Sequence, residues 1–322
     1  MGKRWKIRPD GSNWGDFGED DQLGSLNYIT PESVLQAARS IAHGRNFCLS
    51  LPLDYPGGSV LAPHRTPPVL APTERKGKPY FNYSFSDDGG YCDVGCDDRV
   101  TLSTQYSTQW DSFAHIGHEF DTQGDGIARR CFYNGYLAGD HILPPDERGD
   151  SYAMPLGIDA FAARPIQGRG VLLDVERHFG RALRNLTFAD VAQVIAADNI
   201  AIEVGDILCI HTGFADEVLK MERRPDRERI HSICGALDGR DQALLNWISE
   251  TKIAAIAADN YAVERIGLPS EGPPQSFLPI HYHCLFKRGV PLGELWYLTE
   301  LAEWLRANGR SSFFLTAPPL RF

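Results

Sequence analysis

Three stretches decide the fold: Gly170–Val175 (GVLLDV), Asp206–His211 (DILCIH) and Ile253–Ala258 (IAAIAA). Each is apolar nearly throughout, the pattern of a strand covered on both faces. Between the first two, Thr187 followed by Asp190 marks a capped helix start. Between the second and third, Ala243, Leu244, Leu245 and Trp247 predict another helix, and a last helix is expected after Gly293. Strands alternating with helices predict an α/β protein.

Working outward, Thr30-Pro31-Glu32 sets a hydroxyl N-cap, a proline at the first helical position and an acid in the first turn. The helix is expected to run through Val34, Leu35, Ala38 and Ile41 and to stop near Gly44. Phe47–Leu51 predicts a short strand. Pro52–Tyr91 is rich in Pro, Gly and Tyr and predicts a long covering loop that shapes a pocket. Residues 1–29 predict an irregular, exposed arm suited to exchanging contacts between subunits. No linker or internal repeat is visible, so one domain over 1–322 is expected.

Composition excludes several classes. Of 322 residues, 43% are hydrophobic and 23% charged, an ordinary globular mix that rules out disorder. No apolar run approaches the roughly 18 residues of a membrane span. A net charge of −10 argues against nucleic acid or an anionic membrane as partner. The N-terminus lacks an apolar signal core, and seven cysteines with a single tight pair, Cys92 and Cys96, predict reduced thiols. A cytoplasmic protein is expected. Gly-x-Gly-x-x-Gly, the phosphate loop and Gly-x-Ser-x-Gly are all missing, which disfavours dinucleotide, ATP and serine-hydrolase chemistry.

The densest polar cluster is Ser103–Asp121 (STQYSTQWDSFAHIGHEFD). In a straight strand Gln105 and Gln109 would stand about 13 Å apart. A helical turn would bring them within about 6 Å. A single site therefore needs a bend here; the alternative is a polar strand edge with surface histidines. Downstream, Asp259–Glu264 follows a buried strand, where ligand-contacting residues gather in open α/β sheets. His281, His283 and Glu294 lie further on. His211 is expected to be a core histidine, and Asp174 and Asp259 to cap turns.

The stretch Gln105-Tyr106-Ser107-Thr108-Gln109-Trp110-Asp111-Ser112-Phe113-Ala114-His115 resembles, in register, the His-x-Gly-Thr-His-x-Asp-x-x-x-His motif of the cyclase family, which includes bacterial kynurenine formamidase and isatin hydrolase. Leu23–Thr30, Tyr133–Tyr136, Gly170–Asp174, Gly205–Leu208 and Gly289–Trp296 also look like family text. The resemblance implies a swivelling β/β/α fold, with a mixed sheet and flanking helices, and a homodimer or homotetramer. It implies a divalent metal, zinc or manganese, with Asp111 as ligand, His115 as general acid/base, and His281 and Glu294 as the later ligands. His283 competes with His281, because the spacing is one residue longer than in kynurenine formamidase.

The departure from the family lies at Gln105 and Gln109, which replace two ligand histidines. A carboxamide offers a weakly basic oxygen, so these residues either join a harder oxygen-rich site, hydrogen-bond the substrate, or leave no metal bound at all. The expected activity is metal-dependent hydrolysis of an amide, cyclic amide or lactone of a small, planar substrate. Gln105, Gln109, Trp110, Phe113 and the aromatics of Tyr80–Phe85 are expected to contact that substrate. The alternatives are a metal-independent cyclase, isomerase or dehydratase, and a non-catalytic ligand-binding homologue.

Overall fold

All three deciding stretches form strands of one six-stranded sheet in the computed structural model, which describes residues 3–145, 152–153, 155–267 and 275–321. The sheet contains β1 (Gln109–Asp111), β2 (Gln167–Asp174), β3 (Ile207–His211), β4 (Ala255–Ala258), β5 (Leu292–Glu294) and β6 (Ser312–Thr316). Their order is β6-β2-β3-β4-β5-β1. The four central strands are parallel, and both edge strands run antiparallel to their neighbours. Every residue of β3 and β4 is buried, as continuous apolar runs require.

The longer α-helices among the described residues are α1 (Pro31–Arg39), α2 (Phe188–Ala197), α3 (Phe214–Lys220), α4 (Gln242–Thr251) and α5 (Thr299–Ala307). Thr187 and Asp190 close the expected capping box on α2. Thr30 caps α1 through Ser33. No helix among the described residues is long and apolar enough to cross a membrane.

Four local expectations are corrected. Helix α1 stops at Arg39 and turns Ala37 inward, leaving Leu35 at 60% and Ile41 at 57% exposure. Its small inward residue suits close packing on β2. Phe47–Leu51 forms no strand, only a bridge from Ser50 to Trp296, because β5 is already paired on both sides. Gly293 and Glu294 belong to β5, and α5 begins only at Thr299. The N-terminal arm is not free: Trp5 and Trp14 are buried, and the Trp14 indole donates to the Phe286 carbonyl at 2.7 Å. That packing straps the arm over the helical segment Pro279–Arg288, part of it π-helical, which carries His281.

The carboxyl ends of the central strands hold a satisfied polar network. His211 is fully buried between Asp174 (2.9 Å) and Thr299 (3.2 Å). Asp174 caps the short helix Val175–Phe179. Asp259 accepts from the backbone of Thr212, Gly213 and Phe214, anchoring the start of α3. These are structural roles, as expected.

Candidate active site

The bend required by the Gln105–Gln109 spacing is present. The chain turns through Thr104–Thr108 before β1 begins, and the Gln109 amide Nε2 reaches Gln105 Oε1 at 2.8 Å. Gln109 stands directly opposite Glu294 in the β1–β5 ladder. Its Nε2 also donates to Glu294 Oε2 at 2.8 Å. Only the amide nitrogen can face a carboxylate oxygen, so Gln109 Oε1 points elsewhere and stays buried without a partner. Arg65 pins the bend by donating to the Gln105 carbonyl at 2.8 Å.

Two residues along the same strand face sits Asp111, fully buried, with neither carboxylate oxygen receiving a hydrogen bond. Beside it lies His281, whose Nε2 is 3.5 Å from Asp111 Oδ2 and 3.4 Å from Glu294 Oε1. The other imidazole nitrogen, Nδ1, bonds Glu264 Oε1 at 2.8 Å. Glu264 also accepts from the backbone N–H groups of Ile280 and His281, both at 2.9 Å. Ligand atoms of Asp111, His115 and His281 lie within 4.8 Å of one another.

Glu264 is the residue that motif reading missed. It lies in the Asp259–Glu264 segment singled out by its position after a buried strand, but nothing local pairs it with His281. Its seat has a sequence signature in Gly239: a Cβ there would stand 2.6 Å from Glu264 Oε2 and 2.9 Å from the Pro279 ring. Backbone strain marks the same region. Ala262 and Val263 before Glu264, and Leu295 after Glu294, all adopt positive φ, sparsely populated for residues with a side chain.

Electrostatics favour a cation. Burial alone would raise the Asp111 carboxyl, but His115, His281 and the Gln105 amide outweigh it and hold it below the ordinary value. Burial would lower the His281 imidazole, yet Asp111, Glu264 and Glu294 push it well above its ordinary value. A buried acceptor without a donor calls for an ion or a water. Carboxylate oxygens with an imidazole nitrogen suit manganese or zinc, so the donor set fits the divalent metal that the family resemblance implies.

Other expected residues divide. Gln105 and His115 line two cavities, an inner one of about 110 Å³ and an adjoining cleft of about 1720 Å³. Trp110 lines the cleft, edge-on to Trp296, and its indole donates to the Ala317 carbonyl. Phe113 does not face a cavity: it is fully buried against Tyr133 and Phe161, on the core side of the chain. His283 turns away to Ser249 (2.9 Å), and burial with Lys287 and Arg288 nearby pushes it down to about 4. Tyr80, Tyr83 and Phe85 pack on one another and line neither cavity. Of the expected loop, Pro56 and Gly58–Ala62 line the inner cavity. His118 and Glu119 lie in a separate hairpin.

Comparisons with known proteins agree with this architecture. The family model described as "Putative cyclase" matches residues 47–265. A solved structure described as a novel cyclase is 31% identical over 97% of this chain and 93% of its own, with a TM-score of 0.74. The chain belongs to the cyclase family. Isatin hydrolase A from Labrenzia aggregata, bound to benzyl benzoate, is 13% identical over 90% of this chain and 93% of its own, with a TM-score of 0.55. Isatin hydrolase A from Ralstonia solanacearum is 14% identical over 91% and 93%, with a TM-score of 0.53. At these identities the likeness to the isatin hydrolases shows the fold alone. No curated protein matches this chain.

Proposed function

We propose that the chain is a metal-dependent hydrolase that opens an amide, cyclic amide or lactone of a small, planar substrate. One observation carries the reading: neither oxygen of the fully buried Asp111 carboxylate accepts a hydrogen bond, and its imidazole neighbour His281, 3.5 Å away, is already oriented by Glu264. Asp111, His281 and Glu294 would hold one divalent ion, zinc or manganese, which when bound polarises a carbonyl and lowers the pKa of water from ~15.7 toward about 7. Glu264 fixes the His281 tautomer by occupying Nδ1, leaving Nε2 to face the carboxylates.

His115 borders both cavities and is the general acid/base. It takes a proton during attack and returns it to the leaving nitrogen or oxygen. Gln109 cannot hold the developing oxyanion, because its amide nitrogen is committed to Gln105 and Glu294. That task falls to the Gln105 amide N–H.

The proximity of His115 to Asp111 and His281 also favours a second reading, in which His115 is itself a ligand. Metal content and turnover of His115→Ala separate the two. An acid/base variant keeps its metal and loses about 10²–10⁴ in rate. A ligand variant loses the metal as well. Full activity in chelator, with under about 0.1 metal per chain, would refute the metal-dependent reading and leave the metal-independent cyclase, isomerase or dehydratase.

A further inference from the structure

The inner cavity carries a cation that neither the fold nor the chemistry above uses. Val60, Leu61, Ile266, Leu278 and Leu295 give it apolar walls, and His115, His281 and Glu294 bring it the reacting groups. Among the described residues Arg65 is the only arginine or lysine that lines it. Apolar walls with a few placed polar groups mark a small-molecule site. Arg65 is held in place. Its backbone N–H donates to the Ala62 carbonyl at 2.9 Å, and the next N–H, of Thr66, donates to Ser103 Oγ at 3.2 Å. The loop before it is fixed as well. The Tyr106 hydroxyl donates to the Gly58 carbonyl at 2.8 Å. Gly57, at φ +91°, passes so near Arg223 that a Cβ would stand 2.2 Å from its carbonyl oxygen.

The guanidinium spends Nη1 on the Gln105 carbonyl, at 2.8 Å. Nε and Nη2 have no acceptor among the described residues, and no acid pairs with Arg65 there. Glu294, on the wall of the same cavity, turns instead to the Gln109 amide and His281. The Nε and Nη2 hydrogens point in parallel, the spacing that a carboxylate accepts with both oxygens. A neutral carbonyl would take only one of them. A dianion such as phosphate would meet one cation and, in Glu294, a like charge. A single carboxylate on a small organic body therefore matches this wall best.

We propose that Arg65 sets the specificity of this site, and that the substrate is an amide or lactone bearing a carboxylate, which Nε and Nη2 of Arg65 grip. Gln105 links the two ends: its carbonyl takes Arg65, and its side chain is the group assigned above to the oxyanion. The carboxylate and the scissile carbonyl therefore belong to one small molecule. Its size agrees, because the cavity is about 110 Å³ and an apolar cavity of about 150 Å³ holds benzene. Naming the substrate an amide or lactone rests on the hydrolase reading; the carboxylate pocket itself does not.

Calorimetric titration of the full chain with benzoate and with its neutral isostere benzamide tests the pocket, once with saturating manganese and once in chelator. The wild type is expected to bind benzoate about tenfold or more tightly than benzamide. Arg65→Gln should bind the two alike. Arg65→Lys keeps the charge and a donor for the Gln105 carbonyl but loses the fork, so it should retain only part of the preference. Circular dichroism checks that both variants fold, and the lysine variant decides the matter if the glutamine variant does not. A preference in either condition that disappears in Arg65→Gln supports the proposal. No preference in either condition, one that survives Arg65→Gln, or one undiminished in Arg65→Lys overturns it. A chain that takes up no manganese sinks the hydrolase reading instead, and the titration in chelator still reports on Arg65.

Discussion

Glu264→Ala tests how the site is held together. Glu264 is 2% exposed and accepts three hydrogen bonds, from the backbone N–H groups of Ile280 and His281 and from His281 Nδ1. Truncation strands all three donors at once. Each buried donor without a partner costs about 1–3 kcal/mol, so the loss is about 3–6 kcal/mol once water enters part of the vacated space. That is a large share of the roughly 5–15 kcal/mol by which a folded protein exceeds its unfolded state. Glu264→Gln keeps one carbonyl oxygen, but Oε1 and Oε2 both accept, so its amide nitrogen sets a donor against either the Ile280 N–H or the His281 donors, and the loss is about 1–3 kcal/mol. Urea unfolding followed by circular dichroism at neutral pH measures both. Manganese titration by calorimetry supplies a second reading, in which Glu264→Gln should bind about 10–100-fold more weakly because His281 is no longer held. An alanine variant within about 1 kcal/mol of wild type would refute the reasoning, since three buried donors cannot lose their acceptor so cheaply.

Further outcomes follow from the same geometry. Gly239→Ala should cost about 1–3 kcal/mol, because its methyl group would collide with Glu264 Oε2 and Pro279; a thermal melt unchanged from wild type would contradict this. Gln109→Glu sets an acceptor against Glu294 Oε2 and should cost about 2–4 kcal/mol, part of it recovered when a divalent ion is added. The melting temperature with and without manganese reads both effects. Burial would lower the His211 imidazole, but Asp174, Asp259 and Glu176 outweigh it and raise it above its ordinary value. The stabilisation from that charged pair is full below about pH 6.5 and fades as pH rises through the folded value. His211→Gln should remove that alkaline-side loss, and equal slopes of stability against pH in variant and wild type would count against the pairing.

Local signals carried far in this chain. The buried central strands are legible because a continuous apolar run is a one-dimensional property. The caps at Thr30 and Thr187 are legible because their partners sit three residues away. Spacing required a bend at Gln105–Gln109 only if the cluster forms a single site, and the structure chose it; Asp111 and His115 stand in the family motif, whereas His281 and Glu294 came from the wider resemblance, which left His283 in competition. The free edges misled. Phe47–Leu51 has strand composition without a strand to pair with, and the tryptophans of the N-terminal segment bury themselves while residues 69–101 project instead.

By itself, then, the sequence determined an α/β chain, its buried central strands and its helix caps. Those features depend on residues within a few positions of one another. Only the tertiary structure decided that Gln109 bridges Gln105 and Glu294, that Glu264 rather than a motif residue orients His281, and that His283 and Phe113 face away. Gln109 and Glu294 are separated by 185 positions, and Glu264 and His281 by 17, so strand pairing and loop packing make them neighbours. Periodicity fixes which way a side chain faces on its own element, and packing fixes what it meets there.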